Sequence, residues 1–534
     1  MVDSTGAVTI VAPDGSTTPS GRIAPPVKPA AFSSSGALLL SSEASGAFRV
    51  SSITTGASLE ARMAAGEWVV YTPDGYFDGS RNAGLVAAAA YGMDAYALDQ
   101  LAVRVNRPDI VLQRLGLGNP ELWHEYALRH QRRLRVSGLA DDAGAIGRVT
   151  APDVTMLDAS REGAQARIVF EARAAQGSAL AGTNVFVNGV PLFGTAGEPA
   201  SGSVAHKEIR VALSAGPNHI EVTAFDTRGT EALRTGALIE GPEQGRRRLH
   251  FIGFGVSKYR DERLNLELPD KDVRDLAGLL DRSAVGPMGW DAASVHYFTN
   301  EQVTREQIAS SRQLVAEAAI DDTVVVFLAG HGVHSRNNGE YYFATYDTDV
   351  KRLEETAASF ELIEQLLAAT PARHRLLLLD TCESGERDEN VPAGLRARGA
   401  RALVFEPEAK GPGQAAPVGR LGRDPNRMIE NNLFRRTGAV VFSSSRGAEP
   451  SFEYPEIGNG VFTAGLMGAL TGSESDTDSN GVLTPVELAR AVSAFVIQKT
   501  DAQQHPAMDR DNPEAGVELP VVAGATPSTS KKKR

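Results

Sequence analysis

A histidine and the only cysteine of the chain each follow a run of apolar residues. His331 comes directly after TVVVFLAG (323–330), and Cys382 lies 51 residues further on, after HRLLLLD (374–380) and Thr381. A cysteine thiolate is a strong nucleophile, and a nearby imidazole raises the thiolate fraction and then protonates the leaving group. We therefore expect Cys382 to be a nucleophile and His331 its proton carrier. The alternative is that both are ordinary buried side chains, which is the usual fate of either residue type alone.

The elements that must position these two residues are predicted from the pattern after residue 246. Five apolar runs alternate with three amphipathic segments. The apolar runs are LHFIGFGV (249–256), SVHYFTN (294–300), TVVVFLAG, HRLLLLD and AVVFSSS (439–445), and the amphipathic segments are 270–282, 304–319 and 360–370. Unbroken apolar strands separated by helices predict an α/β domain with a mostly parallel central sheet flanked by helices. Reactive side chains in such sheets gather beyond the carboxyl ends of the strands, which is where His331 and Cys382 fall.

Four segments carry a resemblance to a known family. FLAGHG (327–332), LLLLDTCESG (376–385), FIGFGVSKY (251–259) and LNLELPDKDV (264–273) resemble the catalytic domain of caspase-like cysteine peptidases, especially the bacterial and metacaspase branch. The resemblance extends over residues 246–520 and implies a Cys382–His331 dyad that cleaves protein substrates. It also implies that the backbone amides of Gly332 and Cys382 stabilise the oxyanion, as such donors do in other hydrolases. The implied setting is regulated proteolysis in bacterial defence, including antiviral defence, or in cell-death-type signalling.

Two acidic residues match the metacaspase pattern for the substrate pocket. Asp380 stands where metacaspases carry an acid that receives arginine or lysine, and Asp272 matches a second acid. Two carboxylates in one pocket favour a guanidinium or an ammonium group, so we expect cleavage after Arg, and after Lys as a second choice. The alternatives are that Asp380 hydrogen-bonds a turn and that Asp272 is an acid at a helix start. AVVFSSS and the following RGAEPSFE (446–453) resemble the distal wall of the family's substrate cleft, which Ser444 or Ser445 would line. The alternative is that these serines serve a turn, as serines after strands commonly do.

An arginine-rich stretch, 385–437, follows the cysteine. Structureless connections of this length inside a compact domain are usually functional or disordered. The hypothesis is that the stretch blocks or reshapes the site until it is cut, by the chain itself or by an activating protease. The alternative is a solvated insertion whose arginines balance nearby acids. The arginines are Arg396, Arg398, Arg401, Arg420, Arg423, Arg427, Arg435 and Arg436.

A second motif fits a calcium-binding loop. Residues 476–487 match D-x-D-x-N-G-x5-E, and predicted helices 462–470 and 485–500 flank them. Hard oxygen ligands of this kind suit Ca2+. The ion would be structural or regulatory, since thiol-dependent hydrolysis needs no cofactor; the alternative is an acidic Asn-Gly turn without metal. The predicted ligands are Asp476, Asp478, Asn480, Val482 through its carbonyl, Thr484 and Glu487.

The first half of the chain is predicted to be mainly β. Residues 1–83 have alternating short strands and resemble closing blades of a WD-repeat propeller, 84–147 are predicted to be a helical linker, and 148–243 an immunoglobulin-like sandwich with an Asn188-Gly189 hairpin turn. The whole is thus a multidomain protein, all-β parts followed by an α/β domain of 246–520. Residues 521–534 are expected to be a disordered tail.

Composition excludes several classes of protein. The chain has 534 residues, a formal charge of −12 and one cysteine, which rules out a single small fold, a disulfide scaffold and a multi-thiolate zinc site. The acidic balance does not favour nucleic acid or an anionic membrane as a partner. With neither a signal peptide nor a membrane-spanning stretch in evidence, we expect a cytoplasmic location. Two other functions stay open, a catalytically silent adaptor and a calcium-responsive binding protein, as does the oligomeric state.

Overall fold

The computed structural model of the chain describes residues 7–11, 17–22, 28–42, 47–80, 83–91, 94–137, 139, 150–194, 197–243, 245–283, 290–335, 337–381, 437–445, 450–508 and 516–521. Three consecutive parts are seen within these ranges. An N-terminal part combines antiparallel strands with three helices, a middle part has two antiparallel sheets, and a C-terminal part is built on a six-stranded sheet.

The N-terminal part begins with a hairpin and continues as an antiparallel sheet in which each strand pairs with the next. Its strands are β1 (Ala7–Val11), β2 (Thr17–Arg22), β3 (Lys28–Phe32), β4 (Leu38–Ser42), β5 (Phe48–Ser52), β6 (Ser58–Ala64), β7 (Glu67–Tyr71) and β8 (Phe77–Gly79). A propeller blade has four strands, whereas β3 to β8 form one sheet of six. The propeller resemblance therefore stays a prediction.

The predicted helical linker, 84–147, differs from what the structure shows. Two strands precede the helices, and the helices do not merely connect domains. Leu101 and Val105 of the first helix share an apolar cluster with Val69 and Phe77 of the sheet. Because a small sheet has one apolar face to cover, these helices belong to the N-terminal part. The elements are β9 (Ala88–Tyr91), β10 (Asp94–Ala97), α1 (Leu98–Val105), α2 (Pro108–Leu115) and α3 (Pro120–Val136).

The middle part consists of two antiparallel sheets that share one apolar core, with Ile168 from one sheet and Val185 and Ile220 from the other. The predicted hairpin turn is confirmed: Asn188 and Gly189 have φ values of 51° and 79°, as a two-residue turn between twisted strands requires. The immunoglobulin-like identity stays a prediction. The strands are β11 (Asp153–Glu162), β12 (Gln165–Arg173), β13 (Leu180–Val187), β14 (Val190–Pro191), β15 (Glu198–Pro199), β16 (Val204–Ala212), β17 (Pro217–Asp226) and β18 (Thr235–Glu240).

The C-terminal part confirms the prediction of a mostly parallel sheet. Its strand order is β20-β19-β21-β25-β26-β30, and β30 alone runs antiparallel to its neighbour. Along β21, Val324 and Leu328 face one apolar cluster, and Val325 and Phe327 face the other. Burial on both faces explains why these strands are apolar without alternation. The strands are β19 (Arg248–Gly255), β20 (Ala292–Thr299), β21 (Thr323–Gly330), β22 (Gly332–His334), β23 (Tyr341–Phe343), β24 (Ala358–Ser359), β25 (His374–Thr381), β26 (Val440–Ser443), β27 (Glu453–Tyr454), β28 (Asn459–Gly460), β29 (Val482–Leu483), β30 (Ala507–Met508) and β31 (Leu519–Pro520).

The helices of this part follow the predicted segments with one exception. The segment 304–319 is helical only over α5 (Arg305–Ser310) and a 3-10 turn, Ser311–Leu314. The hydroxyl groups of Ser310 and Ser311 both donate to the carbonyl of Gln307, and such bonds compete with the helical pattern. The other helices are α4 (Pro269–Ser283), α6 (Leu353–Thr356), α7 (Phe360–Ala368), α8 (Val461–Thr471) and α9 (Pro485–Lys499). Among the described helices, none has both the length and the apolar character needed to cross a membrane.

The middle part contacts the central sheet at the amino ends of its strands. Arg373, just before β25, donates to Ser214 Oγ at 3.0 Å and to the carbonyl of Ala212. The amide of Ala215 donates to Asp321 Oδ1 at 3.1 Å. The carboxyl ends of the strands, where His331 follows β21, therefore lie at the opposite end of the sheet from these contacts.

Candidate active site

His331 follows β21 and is held through both its backbone and its ring. Its amide donates to Tyr259 Oη at 3.1 Å, and its Nε2 lies 2.8 Å from the carbonyl oxygen of Leu264. A carbonyl oxygen only accepts, so Nε2 carries the proton in this contact. In the neutral ring, Nδ1 is then the nitrogen able to take a proton.

Gly330 permits the close approach of Tyr259 to this turn. Its φ is +148°, and a Cβ added there would lie 2.9 Å from Tyr259 Oη and 3.3 Å from Phe343 Cε2. A side chain at 330 would therefore push away the tyrosine hydroxyl that accepts from His331. The turn before His331 therefore requires glycine at 330.

The strand that leads to the cysteine is paired next to β21. In the parallel register of β21 and β25, Gly330 is the partner of Thr381. Thr381 Oγ1 lies 2.6 Å from Tyr341 Oη, and both residues are buried. Cys382 itself lies outside the described residues, as does the rest of 382–436. The structure thus defines the strand end before the predicted nucleophile but not the thiol.

Gly332, the predicted oxyanion donor, starts the edge strand β22. The amide of Ala344 donates to the carbonyl of His331, which makes these two residues a hydrogen-bonded pair. Gly332 and Phe343 form the next pair along the two strands. Antiparallel pairs alternate between bonded and non-bonded, so the Gly332 amide points away from β23. The second predicted donor, the amide of Cys382, is outside the described ranges.

The two predicted pocket acids, Asp380 and Asp272, are fully buried. Asp380, on β25, accepts from Ser451 Oγ at 2.9 Å and from Thr463 Oγ1 at 2.5 Å. Asp272, in the first turn of α4, accepts from Asn459 Nδ2 at 2.9 Å and from the Gly460 amide at 3.0 Å. These four donors belong to residues 451–463, which run into the first turn of α8. The structure therefore brings both acids to the start of that helix.

Comparison with known proteins identifies this part of the chain. Residues 252–515 match the family model of the caspase domain.

They form a caspase-like domain.

Solved structures share little with the whole chain. Caspase-1 from Spodoptera frugiperda is 15% identical, with 49% of this chain and 86% of that chain covered, at a TM-score of 0.30. The structure titled pro-sf-caspase-1 is 14% identical, with coverage of 50% and 88% and a TM-score of 0.28. A polysaccharide deacetylase from Bacillus cereus is 8% identical, with coverage of 42% and 70% and a TM-score of 0.12. No curated protein matches the chain in sequence.

Ser444 of the caspase-like domain ties two strand ends together. Its hydroxyl donates to the carbonyl of Thr381 at 3.0 Å, and its amide donates to the carbonyl of Leu379 at 2.7 Å. Ser444 and Ser445 are both fully buried. In the described structure Ser444 thus braces the strand that leads to Cys382, which is the turn-serving alternative; its predicted place in the cleft wall stays a prediction.

Several residues of the site are not distinguished by the sequence. Tyr259 belongs to the FIGFGVSKY segment, but nothing in that segment shows which residue it contacts. Leu264 acts through its carbonyl, so its side-chain type carries no signal. Gln504 is fully buried and donates to the carbonyl of Ser444 at 2.9 Å while accepting from the Phe452 amide at 2.9 Å. It fixes the segment that holds Asp380, and it is 60 residues from Ser444 in sequence.

The arginine-rich stretch cannot be placed beside the acids. Thr437 is described and its carbonyl accepts from Arg375, but all eight arginines named for the loop lie outside the described residues. The blocking hypothesis for this loop therefore stays a prediction.

The predicted calcium loop brings three carboxylates together. Asp476, Asp478 and Glu487 each offer an oxygen within 4.8 Å of the others. Both oxygens of Glu487 already accept hydrogen bonds, from the amide and hydroxyl of Thr477 and of Thr484. The hydrogen bond from the Thr477 hydroxyl is the largest cause that lowers the pKa of Glu487 to about 2, followed by the backbone of Thr484.

The other predicted ligands are arranged around the same turn. Asn480 Oδ1 accepts from the amide of Val482 at 2.9 Å, and the amide of Gly481 donates to Asp476 Oδ2 at 2.8 Å. Val482 lies in β29, which pairs with β31. The loop thus has a strand partner in β31, four residues after the end of the family match.

Proposed function

We propose that the chain is a caspase-like cysteine endopeptidase in which Cys382 attacks the scissile carbonyl and His331 carries the proton. The observation that supports it most is the pairing of Gly330 with Thr381, because the residues that follow are His331 and Cys382. The Leu264 carbonyl supports the same role, since it favours the tautomer whose Nδ1 accepts a proton.

The reaction follows from these roles. Nδ1 of His331 takes the thiol proton, the thiolate of Cys382 adds to the carbonyl carbon, and the oxyanion is stabilised by the amides of Gly332 and Cys382. Removing one such donor costs about 3–4 kcal/mol in studied hydrolases. His331 then gives the proton to the leaving amine as the C–N bond breaks, and water releases the acyl group from sulfur.

The buried acids support a preference for basic residues. A guanidinium that reached Asp380 and Asp272 would leave water for a buried site. Charge-assisted hydrogen bonds to carboxylates are stronger in such a site than in water. An aspartate in the same pocket would be repelled. We propose cleavage after Arg, and after Lys as a second choice. The same preference would allow the chain to cut its own arginine-rich stretch. The resemblance to bacterial caspase-like peptidases extends the proposal to a regulated protease of defence or cell-death signalling.

The test is hydrolysis of fluorogenic peptides ending in Arg, Lys or Asp. Wild type is expected to prefer Arg, and Cys382→Ala to be inactive. Asp380→Asn is expected to lose roughly 100-fold in kcat/KM for Arg, because removing one partner of a buried charge pair costs about 2–5 kcal/mol. Asp501→Asn, at an exposed acid with a φ of 49° that Asn tolerates, is the matched control.

Three results bear on separate parts of the proposal. Equal rates for wild type and Cys382→Ala would contradict the role of Cys382 as the nucleophile. A preference for peptides ending in Asp would contradict the recognition of basic residues by an acidic pocket. Mass spectrometry of the active protein is expected to find a cut between 386 and 437 that Cys382→Ala lacks. An intact, active chain would remove self-processing alone.

We also propose that the 476–487 loop binds Ca2+. The three gathered carboxylates and the match to the calcium-loop pattern support it. Since Glu487 already accepts four hydrogen bonds, bidentate binding has to displace the hydroxyl groups of Thr477 and Thr484. Calorimetry with CaCl2 is expected to give one site per chain, weakened at least tenfold in Asp478→Asn and unchanged in Asp501→Asn. Absence of heat at millimolar Ca2+ would reject the site.

A further inference from the structure

Tyr259 touches the candidate proton carrier at two points. Its hydroxyl accepts from the amide of His331, and its ring lies against the imidazole with centroids 5.3 Å apart and planes tilted by 37°. Both residues are 4% exposed. A hydroxyl bonded to the His331 backbone and a ring packed on its side chain together restrict the imidazole far more than either contact alone.

The loop that carries Tyr259 is itself fixed. Asn265 Oδ1 accepts from the Tyr259 amide at 2.8 Å, and the Leu266 amide donates to the carbonyl of Ser257 at 2.9 Å. The carbonyl of Leu264, which accepts from His331 Nε2, lies in the same loop. One short segment, 257–266, thus holds the backbone, the ring face and one ring nitrogen of His331.

We propose that Tyr259 is a positioning residue for His331, and this inference rests on the proposed peptidase function. The tyrosine hydroxyl fixes the turn after Gly330, and the ring sets the plane of the imidazole, so that Nδ1 stays in line with the thiol of Cys382. Tyr259 thus acts through His331. Because misplacement by about 1 Å can cost roughly 100-fold in rate, a small relaxation of this turn is enough to slow the proton transfer.

The test is Tyr259→Phe, which removes one oxygen and keeps the ring. Its kcat for the Arg peptide is expected to fall at least tenfold with KM unchanged. Cys382 is the only thiol of the chain, so its reaction with iodoacetamide can be followed by intact mass. That rate at pH 7 is expected to fall by a similar factor. Tyr297→Phe, at a tyrosine that is 46% exposed on β20, is the control and is expected to match wild type.

A second variant, Asn265→Ala, keeps the hydroxyl but removes the acceptor that fixes the Tyr259 amide. Asn265→Ala is also expected to lower kcat. Circular dichroism is used to choose a temperature at which both variants are folded. Folded Tyr259→Phe with kcat and alkylation rate within twofold of wild type would overturn the positioning role while leaving the peptidase intact. Wild type without hydrolysis, and with an alkylation rate that His331→Ala does not change, would overturn the peptidase function and the positioning role with it.

Discussion

His331 owes its orientation to residues that are distant in sequence. Tyr259 and Leu264 lie 72 and 67 positions before it, yet one accepts from its amide and the other from its ring. The spacing of His331 and Cys382 after two apolar runs is the basis on which we propose these residues for the chemistry. It did not predict which groups hold His331, because a backbone carbonyl and a tyrosine hydroxyl leave no pattern in a single sequence.

A methyl group at residue 330 tests how tightly this turn is packed. Gly330→Ala is expected to lower the free energy of unfolding by about 2 kcal/mol, since alanine is strained at this backbone conformation and meets Tyr259 Oη. We expect kcat to fall as well, because the same methyl displaces the hydroxyl that holds His331. Urea unfolding and peptide hydrolysis measure the two effects.

Gly468 in α8 provides the matched control. No heavy atom lies within 4 Å of a Cβ added there, and alanine inside a helix is favoured over glycine by about 0.5–1 kcal/mol. Gly468→Ala is therefore expected to be neutral or stabilising, with unchanged kcat. Wild-type stability and kcat in Gly330→Ala would show that the turn has room for a side chain.

Helix α3 is the element that joins the N-terminal part to the strand pair after His331. Leu128 packs against Gly339, and Arg135 pairs with Glu340, in the loop between β22 and β23. At its inner face, His130 donates from Nε2 to the carbonyl of Arg104 at 3.1 Å. Burial is the main cause that lowers the pKa of His130 to about 3, and Arg133 and Arg107 add to it.

The depressed pKa of His130 predicts a loss of stability in acid. The unfolded chain binds a proton on this histidine below pH 6.5, whereas the folded chain does so only near pH 3. Between pH 7.5 and 5.5, the free energy of unfolding of wild type is expected to fall by about 1 kcal/mol, and His130→Gln is expected not to show this loss. The control is His124→Gln, at an exposed histidine of the same helix, which is expected to behave like wild type. Chemical unfolding at the two pH values measures the difference; an equal loss in all three proteins would contradict the buried neutral imidazole.

At the scale of the whole molecule, the sequence predicts the elements better than their contacts. The apolar runs predicted the parallel strands β19, β20, β21, β25 and β26, because burial on both faces leaves a direct mark on composition. For the region 84–147, the packing of α1 against the first sheet was not predicted, since that contact depends on residues far apart, and the role of this region as a linker stays a prediction. The donors to Asp380 and Asp272 were not predicted for the same reason: they come from residues 71 to 188 positions away.

The contact between the middle part and the central sheet bears on how the protein can be shortened. Arg373 is 6% exposed, and its guanidinium donates to Ser214 Oγ, to Asn218 Oδ1 and to the carbonyl of Ala212. Burial lowers its pKa to about 10, so it stays charged at neutral pH. A fragment that starts at residue 246 would lack all three of these acceptors and leave the guanidinium without them. Truncation at the domain boundary suggested by sequence is thus a poor route to an isolated caspase-like domain, and the shortest stable fragment is expected to retain the middle part.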